Sequence, residues 1–220
     1  MPGLGHFIIR IGEKSSERRT VWLISAVVLI SGLVLLTDQS VGRLVENWLA
    51  PDLQKRFSAF SKNGTVLFYA VFGGLYGYSR VMHHSALKLM CLAYLKAQVV
   101  FSFLLVRALK IGIGRARPAV GSDFNPITLE SEYNSFPSGH AADAFTGAVI
   151  LYLLIERSRW RRWRYLPLLY AGLVALARIA GGVHHTADVV AGAAIGIGGA
   201  LFFASRSHLK PVPAYRMVQS

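Results

Sequence analysis

Residues 178–205 read RIAGGVHHTADVVAGAAIGIGGALFFAS. The junction inside this stretch decides the fold: a polar cluster passes directly into an uncharged run. Arg178 is followed after five residues by His184, and after three more by Asp188. From Val189 to Ser205 no charged residue appears, and a run of about 17 apolar residues is the least that crosses a bilayer core as a helix. Gly192, Gly196, Gly198 and Gly199 stand among alanines in this run. Small residues at such positions let helix backbones approach closely in a membrane, so the glycines read as packing and not as a nucleotide loop.

Working outward, five further apolar segments occupy roughly 21–37, 64–79, 89–109, 141–155 and 165–182. The chain of 220 residues is long enough for one domain, and it is 53% hydrophobic with a formal net charge of +13. Its mean hydropathy is +0.43. A basic soluble nucleic-acid binder spreads charge over a polar surface, whereas here long apolar runs alternate with short basic clusters. This pattern predicts an all-α bundle of six transmembrane helices, with residues 1–220 as a single domain and its core over 64–205. The first twenty residues are mixed and charged, and the 21–37 run exceeds a signal-peptide core, so it is read as the first span. Cys91 is the single cysteine. It allows no intramolecular disulfide and no multi-cysteine metal site.

Lysine and arginine sort into alternating loops. One side takes Arg10, Lys14, Arg18, Arg19, Arg80, Lys88, Arg157, Arg159, Arg161, Arg162, Arg164, Arg206, Lys210 and Arg216; the other takes Arg43, Lys55, Arg56, Lys62, Arg107, Lys110, Arg115, Arg117 and Arg178. Fourteen against nine places both termini, with tails at 1–20 and 206–220, in the cytoplasm. Loops 38–63 and 110–140 and the 183–188 turn then face outward. Within the first of these, apolar residues from Val41 to Phe60 fall near helical spacing. A short interfacial helix between spans 1 and 2 explains them, and so does a loop helix packed on the bundle. The WRRWR run at 160–164 suits a loop meeting anionic headgroups better than a nucleic-acid site.

Three clusters converge at the outward ends of these spans: Lys110 with Arg117-Pro118, Pro137-Ser138-Gly139-His140, and Arg178 with His184 and Asp188. Phosphoryl transfer needs fixed cations for the nonbridging oxygens, and Lys110, Arg117 and Arg178 supply three. A helix start with glycine offers backbone N–H donors, which Ser138-Gly139-His140 provides. A neutral imidazole suits a nucleophile at neutral pH, oriented by a carboxylate one turn away, and a second imidazole suits protonation of a leaving oxygen.

The spacings K-x6-RP, PSGH and R-x5-H-x3-D resemble the type 2 phosphatidic acid phosphatase (PAP2) superfamily, with all three motifs in order over about 88–205. The resemblance implies that His184 is the nucleophile forming a phosphohistidine, His140 the general acid and Asp188 the orienting partner of His184. It implies Lys110, Arg117, Ser138, Gly139 and Arg178 as phosphate-binding residues, with no metal and no cofactor. Here Ala177 precedes Arg178 where the family usually has serine, so one hydrogen bond to the site is expected to be missing.

The activity expected from the resemblance is hydrolysis of a lipid phosphate or diphosphate at the periplasmic face of a bacterial inner membrane. Candidate substrates are undecaprenyl diphosphate, phosphatidylglycerol phosphate, phosphatidic acid and lipid A phosphate. Partners are the substrate lipid and the bilayer, with no nucleic acid. Lipid-to-lipid phosphotransfer by the same site is an alternative. A transporter is another, although it would place facing charges near the midplane, where Lys96 alone stands. Arg107 and Arg115 read as interfacial anchors, and His6, His83, His84 and His208 as structural. His185 reads as a neighbour of the site, and Asp143 either as a supporting acceptor or as a packing residue.

Overall fold

The computed structural model describes Asp38 and residues 47–207. The expected first span at 21–37, the tail 1–20 and all of the tail 206–220 except Arg206, which ends the last helix, and Ser207 lie outside the described residues. The elements are α1 (Pro51–Gly64), α2 (Val66–Val81), α3 (Ser85–Ile113), α4 (Gly139–Glu156), α5 (Leu166–Ala180) and α6 (Thr186–Arg206). Apart from short 3₁₀ turns, a lone bridge between Arg115 and Phe124 is the other regular pairing among the described residues. The architecture is all-α.

Local chemistry sets the helix ends. Pro51 opens α1, where a missing N–H costs nothing. His84 caps α3 through Nδ1, which accepts the N–H of Leu87 at 3.3 Å. At its far end α3 stops on Gly114, whose φ of +57° is left-handed, and a Cβ there would lie 1.7 Å from the Asn125 carbonyl oxygen. Ser138 caps α4. At the start of α6 the N–H of His185 donates to Asp188 Oδ2 at 2.9 Å, a reciprocal capping contact. Within α3 the turns widen to π geometry over Gln98–Leu105.

Helices α3, α4 and α6 are long and apolar enough to cross a membrane. Helices α2 and α5, with 16 and 15 residues, are apolar but shorter. Leu67, Val99, Phe103, Leu104, Leu169, Leu173 and Leu176 are exposed along the outer faces. Such faces suit lipid, with backbone groups paired inside each helix.

The most extensive packing joins α4 to α6. A Cβ on Gly192 would lie 2.2 Å from the Ser138 carbonyl oxygen, and one on Gly196 would lie 2.3 Å from that of Ala142. The small-residue stripe thus brings two backbones into contact, as its sequence suggested. Thr146 on α4 donates to the Gly196 carbonyl at 3.2 Å and shares a 3.1 Å hydrogen bond with Ser102 of α3. Interhelical hydrogen bonds of this kind contribute about 0.6 kcal/mol each in a membrane. Deeper in the bundle, Phe72 of α2 stacks on Tyr94 of α3 with centroids 3.7 Å apart. Phe68 fills the notch left by Gly147, where a Cβ would come within 2.5 Å of its ring.

Helix α1 packs along α5 in antiparallel fashion. Gly64 sits against Val174, and Gly181 against the backbone of Ser58, with a Cβ 2.9 Å from its neighbour in both cases. Tyr170 donates to the Gly64 carbonyl at 3.0 Å. The short helix expected after the first span is therefore tied to the bundle along its length.

Candidate active site

One end of the bundle gathers the end of α3, the start of α4, the end of α5 and the start of α6. The backbone N–H of Ser138 donates to the Asp188 carbonyl at 2.8 Å, locking the first turn of α4 to that of α6. His140, the second residue of α4, and His184, two residues before α6, therefore share this end. Arg178, Lys110, Arg117 and Lys62 all lie within electrostatic range of His140. Lys110 lies within range of Arg117, Arg178 and Asp188. Of the residues singled out by motif, the structure brings together Lys110, Arg117, Ser138, Gly139, His140, Arg178, His184 and Asp188.

His184 is buried, and its Nδ1 stands 3.4 Å from Asp188 Oδ2, an ion-pair distance that falls short of hydrogen-bond geometry. Burial drives the imidazole's pKa down to about 3; Asp188 partly offsets this, and the nearby Lys110 and Arg178 charges add to it. His184 is thus neutral at pH 7, with Nε2 as the nitrogen turned away from the carboxylate. Asp188 is fully buried and accepts from Arg115 Nη1 at 2.7 Å and from Ser135 Oγ at 2.6 Å, besides the His185 N–H.

The cations differ sharply in their pairing. Lys110 Nζ donates to the carbonyls of Asn134 and, at 3.4 Å, Ser135. Arg117 Nε donates to the Ser131 carbonyl at 3.0 Å. Arg178 Nη1 donates to Ser61 Oγ at 3.2 Å, while its buried Nε has no acceptor among the described residues. None of the three forms an ion pair among the described residues. Three cations converge with only neutral oxygens as partners, an arrangement that favours an anion between them. Ser138 Oγ accepts the Ala141 N–H at 3.5 Å and retains its own proton to donate. As the first N–H groups of α4, those of Gly139 and His140 have no intrahelical acceptor.

Arg115 is the main departure from the sequence reading. An interfacial anchor would be exposed, yet Arg115 is 3% exposed and bridges two carboxylates. Its Nη2 donates to Asp38 Oδ2 at 3.0 Å. Asp38 in turn accepts the Thr186 N–H at 2.8 Å and the Ala187 N–H at 3.2 Å, at the start of α6. Arg107, by contrast, is exposed as an anchor should be. Ser61 also went unnoticed in sequence. It brings Arg178 a hydroxyl from α1. No local pattern marks Ser61, Ser135 or Asp38.

The remaining candidates have separate places. His185 is buried, with Nε2 3.2 Å from the Ala116 carbonyl, so it braces the loop leading to Arg117. Asp143, half-buried on α4, pairs with the exposed Tyr69 of α2, and Lys96 is exposed on the outer face of α3. Among the described residues no group of three or more His, Cys, Asp or Glu side chains could hold a metal ion. The loop between α3 and α4 folds back onto the end of α3, with Ile127 N donating to the Ile111 carbonyl at 2.8 Å. This loop exposes Val120, Phe124, Ile127 and Leu129.

Comparison with known proteins places this arrangement among relatives. The pattern of the PAP2 superfamily matches residues 87–210. Lipid A 1-phosphatase of Rhizobium etli is 37% identical over 109 residues, which cover 47% of this chain and 45% of that protein. The chain therefore matches less than half the length of this relative. The crystal structure of LpxE from Aquifex aeolicus aligns with a TM-score of 0.53 and 30% identity, over 78% of this chain and 94% of that one. A transmembrane PAP2-type phosphatidylglycerolphosphate phosphatase from Bacillus subtilis shares the fold, with a TM-score of 0.63 and 22% identity over 90% of this chain and 98% of that one.

Proposed function

The chain belongs to the PAP2 superfamily, and from that premise we propose that it is an integral membrane phosphatase removing phosphate from a lipid through a phosphohistidine on His184. The observation that carries the reading is the trio Lys110, Arg117 and Arg178, gathered beside two histidines and left without carboxylate partners. A phosphate monoester or diphosphate headgroup supplies the missing negative charge.

In the first step Nε2 of His184 attacks phosphorus in line with the leaving oxygen. The three cations, the Ser138 hydroxyl and the Gly139 N–H hold the nonbridging oxygens. His140 donates a proton to the departing lipid alcohol or phosphate. Asp188 steadies the imidazolium that forms. In the second step water, deprotonated by His140, attacks the phosphohistidine and releases phosphate. No metal enters this scheme.

The topology that fits is six spans forming one domain over 1–220, with 21–37 as the first span and both termini cytoplasmic. Helix α1 then lies at the outer rim. Helix α4 carries its site end outward and its Glu156 end inward, toward the arginine-rich 157–164 loop. The exposed Phe124, Ile127 and Leu129 suit contact with the outer leaflet, so that the headgroup enters while its chains stay in lipid. The location proposed is a bacterial inner membrane, with the site facing the periplasm. The candidate substrates are lipid A phosphate, phosphatidylglycerol phosphate, phosphatidic acid and undecaprenyl diphosphate.

The test presents purified protein in detergent, with chelator, to those four lipids and measures free phosphate. Release from at least one, inhibition by vanadate, and its loss in His184→Ala and in His140→Ala are expected. Wild-type turnover by His184→Ala would remove the nucleophile, and a strict need for added magnesium would remove the metal-free scheme.

A further inference from the structure

The buried trio Asp38, Arg115 and Asp188 carries two negative charges and one positive. Had Arg115 met Asp188 alone, the pair would be neutral and Asp188 would offer His184 little. Asp38 takes one arm of the guanidinium at 3.0 Å, while Asp188 holds the other at 2.7 Å. Both carboxylates are essentially unexposed, so solvent does little to screen them. The cluster as a whole keeps one uncompensated negative charge, directly beside the His184 ring.

We propose that Asp38 and Arg115 are positioning residues that fix the Asp188 carboxylate while leaving it effectively charged, so that it stabilises His184 once phosphorylated. The inference rests on the phosphohistidine reading above. Asp38 lies well outside residues 87–210, so family resemblance does not point to it. Its other contacts deepen the argument. It accepts the Thr186 and Ala187 N–H groups, and so seats the first turn of the helix that carries Asp188. Arg115 is held in turn through its chain: the Ser135 N–H donates to the Arg115 carbonyl at 3.0 Å, and Ser135 Oγ donates to Asp188. The carboxylate is thus gripped from several directions, with Nδ1 of His184 3.4 Å from its Oδ2. Lys110, Arg117 and Arg178, which hold the substrate in that reading, form no hydrogen bond or ion pair with this trio, although Lys110 lies within electrostatic range of Asp188. The role therefore falls on turnover, with little effect on binding.

Charge arithmetic distinguishes this role from simple helix capping. Asp38→Asn leaves the cluster neutral, Arg115→Gln leaves it at minus two, and the double variant returns it to minus one. Removing one member of a buried ionic cluster is worse than removing a balanced pair. With a short-chain phosphatidic acid as probe, Asp38→Asn is expected to lower kcat at least tenfold with KM within twofold. The double variant is expected to exceed both single variants by at least threefold in kcat. Asp38→Asn at wild-type kcat, or a double variant no better than the poorer single one, would overturn the proposal. If Asp38→Asn fails to fold, a folded and active double variant supports charge balance, and collapse of both overturns it. His184→Ala in the same preparation separates the two levels. If it is active, the phosphohistidine reading falls. If it is inactive while the trio variants behave as wild type, the present inference alone fails.

Discussion

Replacing Gly192 by alanine tests whether the contact between α4 and α6 sets the geometry of the site. The new Cβ would start 2.2 Å from the Ser138 carbonyl oxygen, where ordinary contacts of a Cβ lie at 3.4–4 Å. The first turn of α4 must therefore move by about 1 Å. That turn carries Ser138, Gly139 and His140, and it is pinned to α6 by the Ser138 hydrogen bond to Asp188. Overpacking of this kind costs about 1–3 kcal/mol of stability. A misplacement of about 1 Å between reacting groups costs about a hundredfold in rate. Gly192→Ala should therefore lower the melting temperature and reduce kcat for phosphate release by roughly two orders of magnitude. Gly172→Ala is the matched control, because nothing lies within 4 Å of its would-be Cβ. The assay follows initial phosphate release alongside thermal unfolding in the same detergent. A folded Gly192→Ala variant with wild-type kcat would refute the claim that this backbone contact positions the site.

Other outcomes follow from the same geometry. Ser61→Ala removes the hydroxyl held by Arg178, worth about 1 kcal/mol, so KM should rise about fivefold with kcat little changed; steady-state kinetics checks this. Ile127→Asp with Leu129→Asp should cut the rate on long-chain lipid phosphates and spare a water-soluble aryl phosphate, a difference read by assaying both substrates. Because His184 is held near pKa 3, it stays neutral where the unfolded chain, with an ordinary imidazole, binds a proton. Stability should thus fall as pH drops below about 6.5, by up to about 1.4 kcal/mol per pH unit. Melting temperatures of wild type and His184→Gln across pH 4–8 should show a shallower acid slope in the variant.

Much of this molecule is legible in the chain because membrane burial and phosphate chemistry both leave coarse signals. The apolar runs at 89–109, 141–155 and 189–205 fall within α3, α4 and α6, since a long, predominantly apolar stretch has few alternatives to a helix in lipid. The motif residues meet at one end because antiparallel neighbours bring helix starts and helix ends together. What escapes a linear reading depends on partners remote along the chain. The motif spacing singles out Arg117 and leaves Arg115 as an interfacial anchor; only the pairing of Arg115 with Asp38, 77 positions away, shows it to be an ionic brace. Ser61 reaches Arg178 across 117 positions. Helix α1 shows a face of apolar residues whether it lies on lipid or on protein, and its seat against α5 comes from the glycines at 64 and 181.

The π turns of α3 bear on where Lys110 points. Tyr94, Gln98, Ser102 and Val106 are buried at a strict interval of four, and Lys110 continues the series. A regular helix advances about 100° per residue, so every fourth side chain drifts by about 40°, and from Tyr94 to Lys110 the drift accumulates to about 160°. Straightened to that form, the rod would swing the ammonium round to the hydrocarbon. The slack coils between Gln98 and Leu105 unwind the drift, so the azimuth of a cation at the end of α3 is set some ten to fifteen ångströms away, in the middle of the helix.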